Sequence, residues 1–324
     1  MIAALVLSMC VHAAPVDPES CFDRQALASA TKDDLAQCAK QYSDACAKKD
    51  FRACTFLGDA RASGHGVSTD ANEAMRLYKK ACDGDEPSGC ERLGIRLLLG
   101  RGTRAKTGPG IDALTKGCDK GALDACYDLG IANRDGVGMK KDLARADELF
   151  AIACQAGHLQ SCGAAGDLRV SEENPLGAEK VYSVACASGD VEACNGLSDV
   201  GTQLAKGVGA PRDFAKAYAL TKRGCDGGGK RACSYLGFLT ERGLGTQRDI
   251  AAALNLYSDA CEKGEASACF NAGSALAQED PGRSATLFGR ACSLGLKDGC
   301  PLKTPAAITV KFSKDEQAKN DSLH

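Results

Sequence analysis

The sequence predicts an all-α protein built as a solenoid of helical hairpins, and three observations carry that prediction. The pair Cys, seven residues, Cys occurs eight times, at 46/54, 82/90, 118/126, 154/162, 186/194, 225/233, 261/269 and 292/300. The pairs recur about every 36 residues, the length of a two-helix repeat. On one continuous helix, two cysteines eight positions apart would sit roughly 12 Å apart at Cα, beyond the roughly 7 Å reach of a disulfide. A bridge therefore requires the chain to reverse between them, so each pair closes a helix-to-helix corner with a covalent staple.

Taken in order, the chain opens with one short apolar run, Ile2 to Val11, followed by the small residues Ala13 and Ala14 and a stretch holding Pro15 and Asp17. This pattern predicts a signal peptide over residues 1–13, although no Lys or Arg precedes the run. Its removal deletes Cys10 and leaves eighteen of the nineteen cysteines, the even number expected of a secreted disulfide framework. A lipid-modified Cys10 is the alternative, opposed by the bulky Met9 before it. No later stretch is apolar for long enough to span a bilayer, so no stable membrane insertion is expected after signal removal.

Registered on the first cysteine of each pair, the position four residues earlier reads Tyr42, Tyr78, Leu114, Phe150, Tyr182, Thr221, Tyr257 and Phe288. The residue directly before that cysteine is Ala or Gly throughout, so one large and one small residue share its helical face. Twelve residues before it stand Asp34, Asp70, Asp142, Asn174, Asp213, Asp249 and Asp280, with Lys106 the exception. Asp or Asn there caps the free amides that open this helix, called helix B. Pro175 and Pro281 follow two of the caps, at the first helical position where a missing N–H costs nothing. Three residues past the cysteine, Gly121, Gly157, Gly189, Gly228, Gly264 and Gly295 suit a left-handed helix terminus. The second cysteine opens helix A, with Leu57, Leu93, Leu129, Leu197 and Leu236 three residues on and a glycine beside most of them. Helix A ends in Gly-x-Gly loops such as Gly64-His65-Gly66 and Gly243-Leu244-Gly245, which lead to the next cap.

Leu-Gly near the start of helix A, a Gly-x-Gly loop, a capping Asp, then an aromatic followed by Ala-Cys resembles the Sel1-like repeat, a relative of the tetratricopeptide hairpin. The cysteine at each corner resembles the Helicobacter-type cysteine-rich branch of that family. The resemblance covers residues 18–300 and implies a right-handed α/α solenoid of Sel1-like (TPR-like) hairpins stapled by C-x7-C disulfides. It departs at Ala165 and Ala272, which replace the leucine, and in the Cys118 unit, which lacks both the aromatic and the capping Asp. Cys21 and Cys38 stand outside the series. Cys38 holds the helix B position that Ala74, Ala146 and Ala217 hold elsewhere, which predicts a ninth bridge, Cys21 to Cys38, stapling the terminal unit. Residues 301–324 are polar and unpatterned apart from Ile308-Thr309-Val310, and are expected to be a disordered tail.

Thiolates also ligate zinc, but zinc sites draw on clustered C-x-x-C or Cys/His quartets, whereas these pairs are whole hairpins apart and the chain has four histidines. Disulfides are expected at Cys21, Cys38, Cys46, Cys54, Cys82, Cys90, Cys118, Cys126, Cys154, Cys162, Cys186, Cys194, Cys225, Cys233, Cys261, Cys269, Cys292 and Cys300, with no metal and no cofactor. The compartment is then oxidising, periplasmic or secreted. A net charge of −2 with no basic stripe argues against nucleic acid as a partner.

Some members of the cysteine-rich branch are described as penicillin-binding proteins or β-lactamases, so the resemblance implies a weak activity of that kind as the alternative function. Ser29-Ala30-Thr31-Lys32 and Lys106-Thr107-Gly108 match two of the required strings, with Ser29 expected in a loop and Lys106 in a glycine-rich loop rather than on a strand. No Ser-x-Asn or Tyr-x-Asn element accompanies them. His65 and His158 are expected in exposed turns, which leaves no nucleophile with a base. No catalytic residue is therefore assigned.

What remains is surface. Positions one and five after the second cysteine point away from the Cys/Leu/Gly face of helix A, and the repeats diverge there in residue type. Ile95, Tyr127, Ile131, Phe238 and Phe270 occupy such positions, with Tyr235 and Leu99 adjacent. All but Leu99 are the expected partner-binding residues of a monomeric scaffold for a protein or peptide, unless neighbouring helices cover them.

Overall fold

The computed structural model describes Cys21 and residues 31–101 and 104–300. The predicted signal segment, Cys10, Ser29 and the predicted tail lie outside the described residues. Among the described residues the chain forms fifteen α-helices and no strand, in two units that meet at Ser188/Gly189. The first holds α1 (Lys32–Ala47), α2 (Phe51–Ser63), α3 (Ala71–Asp83), α4 (Pro87–Leu99), α5 (Thr107–Asp119), α6 (Leu123–Asp135), α7 (Leu143–Gln155), α8 (Leu159–Ser171) and α9 (Pro175–Ala187). The second holds α10 (Val191–Lys206), α11 (Phe214–Asp226), α12 (Lys230–Arg242), α13 (Ile250–Glu262), α14 (Ala266–Leu276) and α15 (Pro281–Ser293), followed by a 3-10 turn at Lys297–Gly299. Each unit is an α/α solenoid in which B and A helices alternate: α1, α3, α5, α7, α9, α11, α13 and α15 are B helices.

The capping pattern explains where the B helices start. Asp70, Asp142, Asn174, Asp213, Asp249 and Asp280 each accept the backbone N–H three residues on, a contact worth about 1 kcal/mol. Two positions differ. Lys106 makes no side-chain cap, and Thr107 and Gly108 lie in the first turn of α5 rather than in a loop. Asp34 is not the cap of α1: Thr31 is, and Asp34 returns a bond to its backbone, a reciprocal capping box that starts the helix three residues early.

At the corners, the residue three past each first cysteine has positive φ. Glycine supplies it at Gly121, Gly157, Gly189, Gly228, Gly264 and Gly295, while Lys49 and Asp85 adopt it without glycine. The chain then turns back, with the N–H of Asp50, Glu86, Ala122 and His158 returning to the carbonyl five residues earlier. That reversal brings the paired Cα atoms to 4.4–4.7 Å, and the bridges Cys46–Cys54, Cys82–Cys90, Cys118–Cys126, Cys154–Cys162, Cys225–Cys233, Cys261–Cys269 and Cys292–Cys300 form there. Cys186 and Cys194 are disulfide-bonded as well. Cys21 pairs with Cys38 at a Cα separation of 5.4 Å, as expected for the terminal staple.

The large residue four before the first cysteine packs onto the glycine four after the second. The rings of Tyr78, Phe150, Tyr182, Tyr257 and Phe288 lie over Gly58, Gly130, Gly166, Gly237 and Gly273, and Leu114 lies over Gly94. A Cβ on Gly58 or Gly237 would come within 2.6 Å of the opposing ring, so glycine is what lets the helices approach. In the second unit α10 is 16 residues long rather than 13, and its glycine opposite helix B is Gly201, which faces Thr221 and Tyr235. The missing aromatic at Thr221 is thus matched by a shifted glycine and by Tyr235 leaning in from α12.

Neighbouring B helices are tied across the corner by cations. Lys80 and Lys116 each stand two before a first cysteine, and donate to the carbonyl oxygens of Cys46 and Cys82 at 2.9 and 2.6 Å. In the second unit Arg290 reaches the Glu262 carbonyl from the same position. These bonds cap carbonyls that the end of a helix leaves open.

Candidate partner-binding face

The A helices set the candidate face, and the structure divides the two positions that the sequence assigns to it. Five residues after the second cysteine, Asp59, Ile95, Ile131, Asp199 and Phe238 are half-buried and Asp167 is exposed. Directly after the cysteine, however, Thr55, Glu91, Asn195 and Ser234 are buried, and Tyr127 and Phe270 half-buried. The adjacent A helix covers much of that row, because the helices stack along the Cys/Leu/Gly face with the following residue in the seam. All six expected partner-binding residues, Ile95, Tyr127, Ile131, Tyr235, Phe238 and Phe270, are half-buried, each with part of its surface left open. Leu99, beside them at the end of α4, is 59% exposed.

In the first unit this face is charged around its aromatics. Tyr127 of α6 packs against Phe150 at 5.8 Å and against the His158 ring at 5.5 Å. His158 is not a free turn histidine. It is the first residue before α8, its side chain 15% exposed, with Nδ1 2.7 Å from Ser161 Oγ and Nε2 3.1 Å from Asp124 Oδ1. On α4, Arg92 pairs with Glu91 at 3.0 Å and with Asp59 of α2 at 3.3 Å, while the Tyr78 hydroxyl donates to the same Asp59 at 2.7 Å. Burial pushes the Glu91 carboxyl up to about 7, and burial with the nearby Asp124 pushes Asp128 up to about 6. Burial, together with the neighbouring acid it donates to, also raises the Tyr78 phenol.

In the second unit the face carries paired aromatic rings. Tyr235 stacks on Phe238 at 5.8 Å, Arg242 lies 5.5 Å over the Phe238 ring, and Phe270 meets Phe288 at 5.3 Å. Arg231 and Asp199 pair across α12 and α10 at 2.9 Å. Asn195 of α10 accepts the backbone N–H of Arg231 at 3.0 Å, capping α12, whose own Gly229 has no side chain to do so. Sequence reasoning passed over Glu91, Asp128 and Asn195, and read His158 as an exposed turn residue. Their signal was present only as departures from the repeat, such as an acid at Glu91 where other repeats place small, polar or aromatic residues.

Comparison with known proteins fits this geometry. A family model for the Sel1 repeat matches residues 51–86, 123–158, 191–229 and 230–265. Among curated proteins none matches the chain. The crystal structure of c5321, a protective antigen of uropathogenic Escherichia coli with an SLR fold, superposes with a TM-score of 0.64 at 23% identity. The match covers 81% of this chain and 57% of that one, so the chain spans little more than half of that structure. A Sel1 repeat protein from Oxalobacter formigenes superposes with a TM-score of 0.63 at 19% identity, covering 88% of this chain and 85% of that one. Helicobacter pylori cysteine rich protein B matches 42% of this chain and 98% of its own length at 24% identity, with a TM-score of 0.35. The family-model matches at 51–86, 123–158 and 230–265 each run from helix A through helix B to the next corner. A bridge such as Cys82–Cys90 therefore lies at a seam where one repeat hands over to the next. The chain carries Sel1 repeats at those four segments, and its fold is a helical-repeat solenoid like that of Sel1 repeat proteins.

Proposed function

We propose that this chain is an exported, disulfide-locked scaffold whose A-helix faces hold a protein or peptide partner, with no chemistry of its own. The observation that carries the reading is the row of half-open apolar side chains on those faces, bordered by charge. Ile95, Tyr127 and Ile131 lie beside Arg92, Asp124 and Asp128 in the first unit, and Tyr235, Phe238 and Phe270 beside Arg231, Asp199 and Arg242 in the second. Half-open aromatics flanked by satisfied ion pairs are the composition of a binding hot spot with a polar rim. Helices packed through glycine and fixed at their corners present that surface without an ordering cost on binding. Among the described residues no helix is long and apolar enough to cross a membrane. The density of disulfides supports an oxidising compartment, the periplasm or the cell exterior.

Peptides displayed on phage and selected on the oxidised protein test the reading, with Tyr127→Ser/Phe238→Ser as the competing bait. Enrichment on the wild type that the double variant loses, at unchanged melting, supports the assignment. Equal enrichment on both baits, or a variant that unfolds, places these rings in the core instead. Mass measurement of the protein recovered from an envelope fraction tests export, with a chain beginning near Ala14 or Pro15 as the expected product.

A further inference from the structure

At seven corners the first cysteine stands in the last turn of a B helix and the second in the first turn of the next A helix, but the last corner departs from that plan. The seven second cysteines, from Cys54 to Cys269, are 0–2% exposed, and so are Cys21 and Cys38 of the terminal staple. Cys300 is exposed. It follows the 3-10 turn Lys297–Gly299 instead of lying within a helix, and its N–H bonds the Lys297 carbonyl at 3.0 Å. Its partner Cys292, at the end of α15, is half-buried. Cys118 and Cys225 are half-buried too, but their partners Cys126 and Cys233 are each 2% exposed. A disulfide is exchanged by a thiolate that approaches one sulfur from behind, opposite the bond that breaks, so access to a single sulfur decides whether exchange can start. Cys300 offers that access.

We propose that Cys292–Cys300 is a redox latch, which a protein dithiol opens by thiol exchange while the other bridges stay closed. A thiolate of the dithiol attacks Cys300 Sγ, the S–S bond breaks, and its electron pair leaves on Cys292 Sγ, which takes a proton from water. The second thiolate of the dithiol then attacks its own sulfur in the mixed disulfide and frees Cys300, which is protonated in turn. Two electrons and two protons pass to the bridge, and the dithiol becomes a disulfide. Opening removes the tether that holds residues 294–300 against α15. Leu296 in that stretch packs on a core cluster that includes Ala260, Ala268 and Ala291, where Phe270 of the second-unit face also rests. Its release uncovers apolar surface at the edge of that face, so the oxidation state of one bond sets what the edge presents. The latch operates whether or not the face has a partner.

Incubation of the full, oxidised chain with reduced thioredoxin tests this, with samples quenched in acid, alkylated in denaturant and mapped by peptide mass spectrometry. Cys292 and Cys300 should take label at least about 10-fold sooner than any other pair, because the buried bridges must wait for local unfolding. Thioredoxin with its resolving cysteine replaced by serine should be caught on Cys300. Capture on Cys292 or on another bridge, release of Cys118–Cys126 or Cys225–Cys233 at the same rate, or opening of every bridge together overturns the proposal. In Cys292→Ser/Cys300→Ser, hydrogen exchange over residues 294–300 should rise about 10-fold while α13 stays protected. Unchanged exchange over 294–300 would show that the bridge is not the tether, and would overturn the proposal as well. Loss of phage selection with an intact order of reduction would sink only the partner reading.

Discussion

The same substitution, glycine to alanine, should change sign within a single helix three residues apart. In α8, a Cβ on Gly163 would meet nothing within 4 Å, whereas a Cβ on Gly166 would press into the Tyr182 ring, 2.5 Å from Cζ. The ring cannot retreat: Tyr182 is 2% exposed, and its hydroxyl donates to Asp167 at 2.5 Å. Alanine gains about 1 kcal/mol over glycine in a helix interior, at either position. At Gly163 nothing opposes that gain, so Gly163→Ala should stabilise by up to about 1 kcal/mol. At Gly166 overpacking costs about 3 kcal/mol where neither partner can move, which leaves a net loss of about 2 kcal/mol. Calorimetry under non-reducing conditions reads both, at about 2–4 °C per kcal/mol for a unit of this size. If Gly166→Ala melted as high as Gly163→Ala, the glycine-to-ring contact would not be what spaces the A and B helices, and the packing scheme would be wrong.

Other perturbations probe the remaining parts of the design. Asp142→Ala should cost about 1 kcal/mol in chemical denaturation by freeing the Arg145 amide, and Asp142→Asn should recover most of it. Hydrogen bonds from Lys120 and Lys116 hold the Asp85 carboxyl down to about 2, so Lys116→Met/Lys120→Met should return it toward the ordinary carboxylate range in an NMR titration. Because that range is depressed in the folded state, its contribution is present above about pH 4 and lost as pH falls toward 2, and the double variant should lose that acid-side slope. Cys118→Ala/Cys126→Ala removes a closed loop of about nine residues and should cost about 2.5 kcal/mol, appearing as slower refolding more than as faster unfolding.

Much of the fold was legible in the sequence because the repeat states each rule many times over. The cysteine spacing demanded a reversal, and the glycine three past the cysteine supplied the backbone for it. Where a unit lacks that glycine, as at Lys49 and Asp85, the corner forms all the same, since the surrounding helices fix the conformation. The start of α1 was misread because the register pointed to Asp34, while Thr31 and Asp34 together form a local box that overrides the register. The candidate face was legible in part. Its outward row, Ile95, Ile131 and Phe238, follows from helical geometry alone. Burial of the row holding Glu91 and Asn195 depends on how one A helix lies against the next, and no single hairpin encodes that angle. For the same reason His158, in sequence a turn residue, is drawn beneath Tyr127 by a partner 34 positions away.

The account rests on bonds closed locally, at every seam between consecutive helical pairs. Proteolysis of the oxidised protein without reduction, with the linked peptides identified by mass spectrometry, tests it most directly. The expected map joins each Cys-x7-Cys pair to itself and Cys21 to Cys38, with no free thiol among the eighteen. Free sulfhydryls at the corners, or linkages between cysteines of different corners, would contradict it.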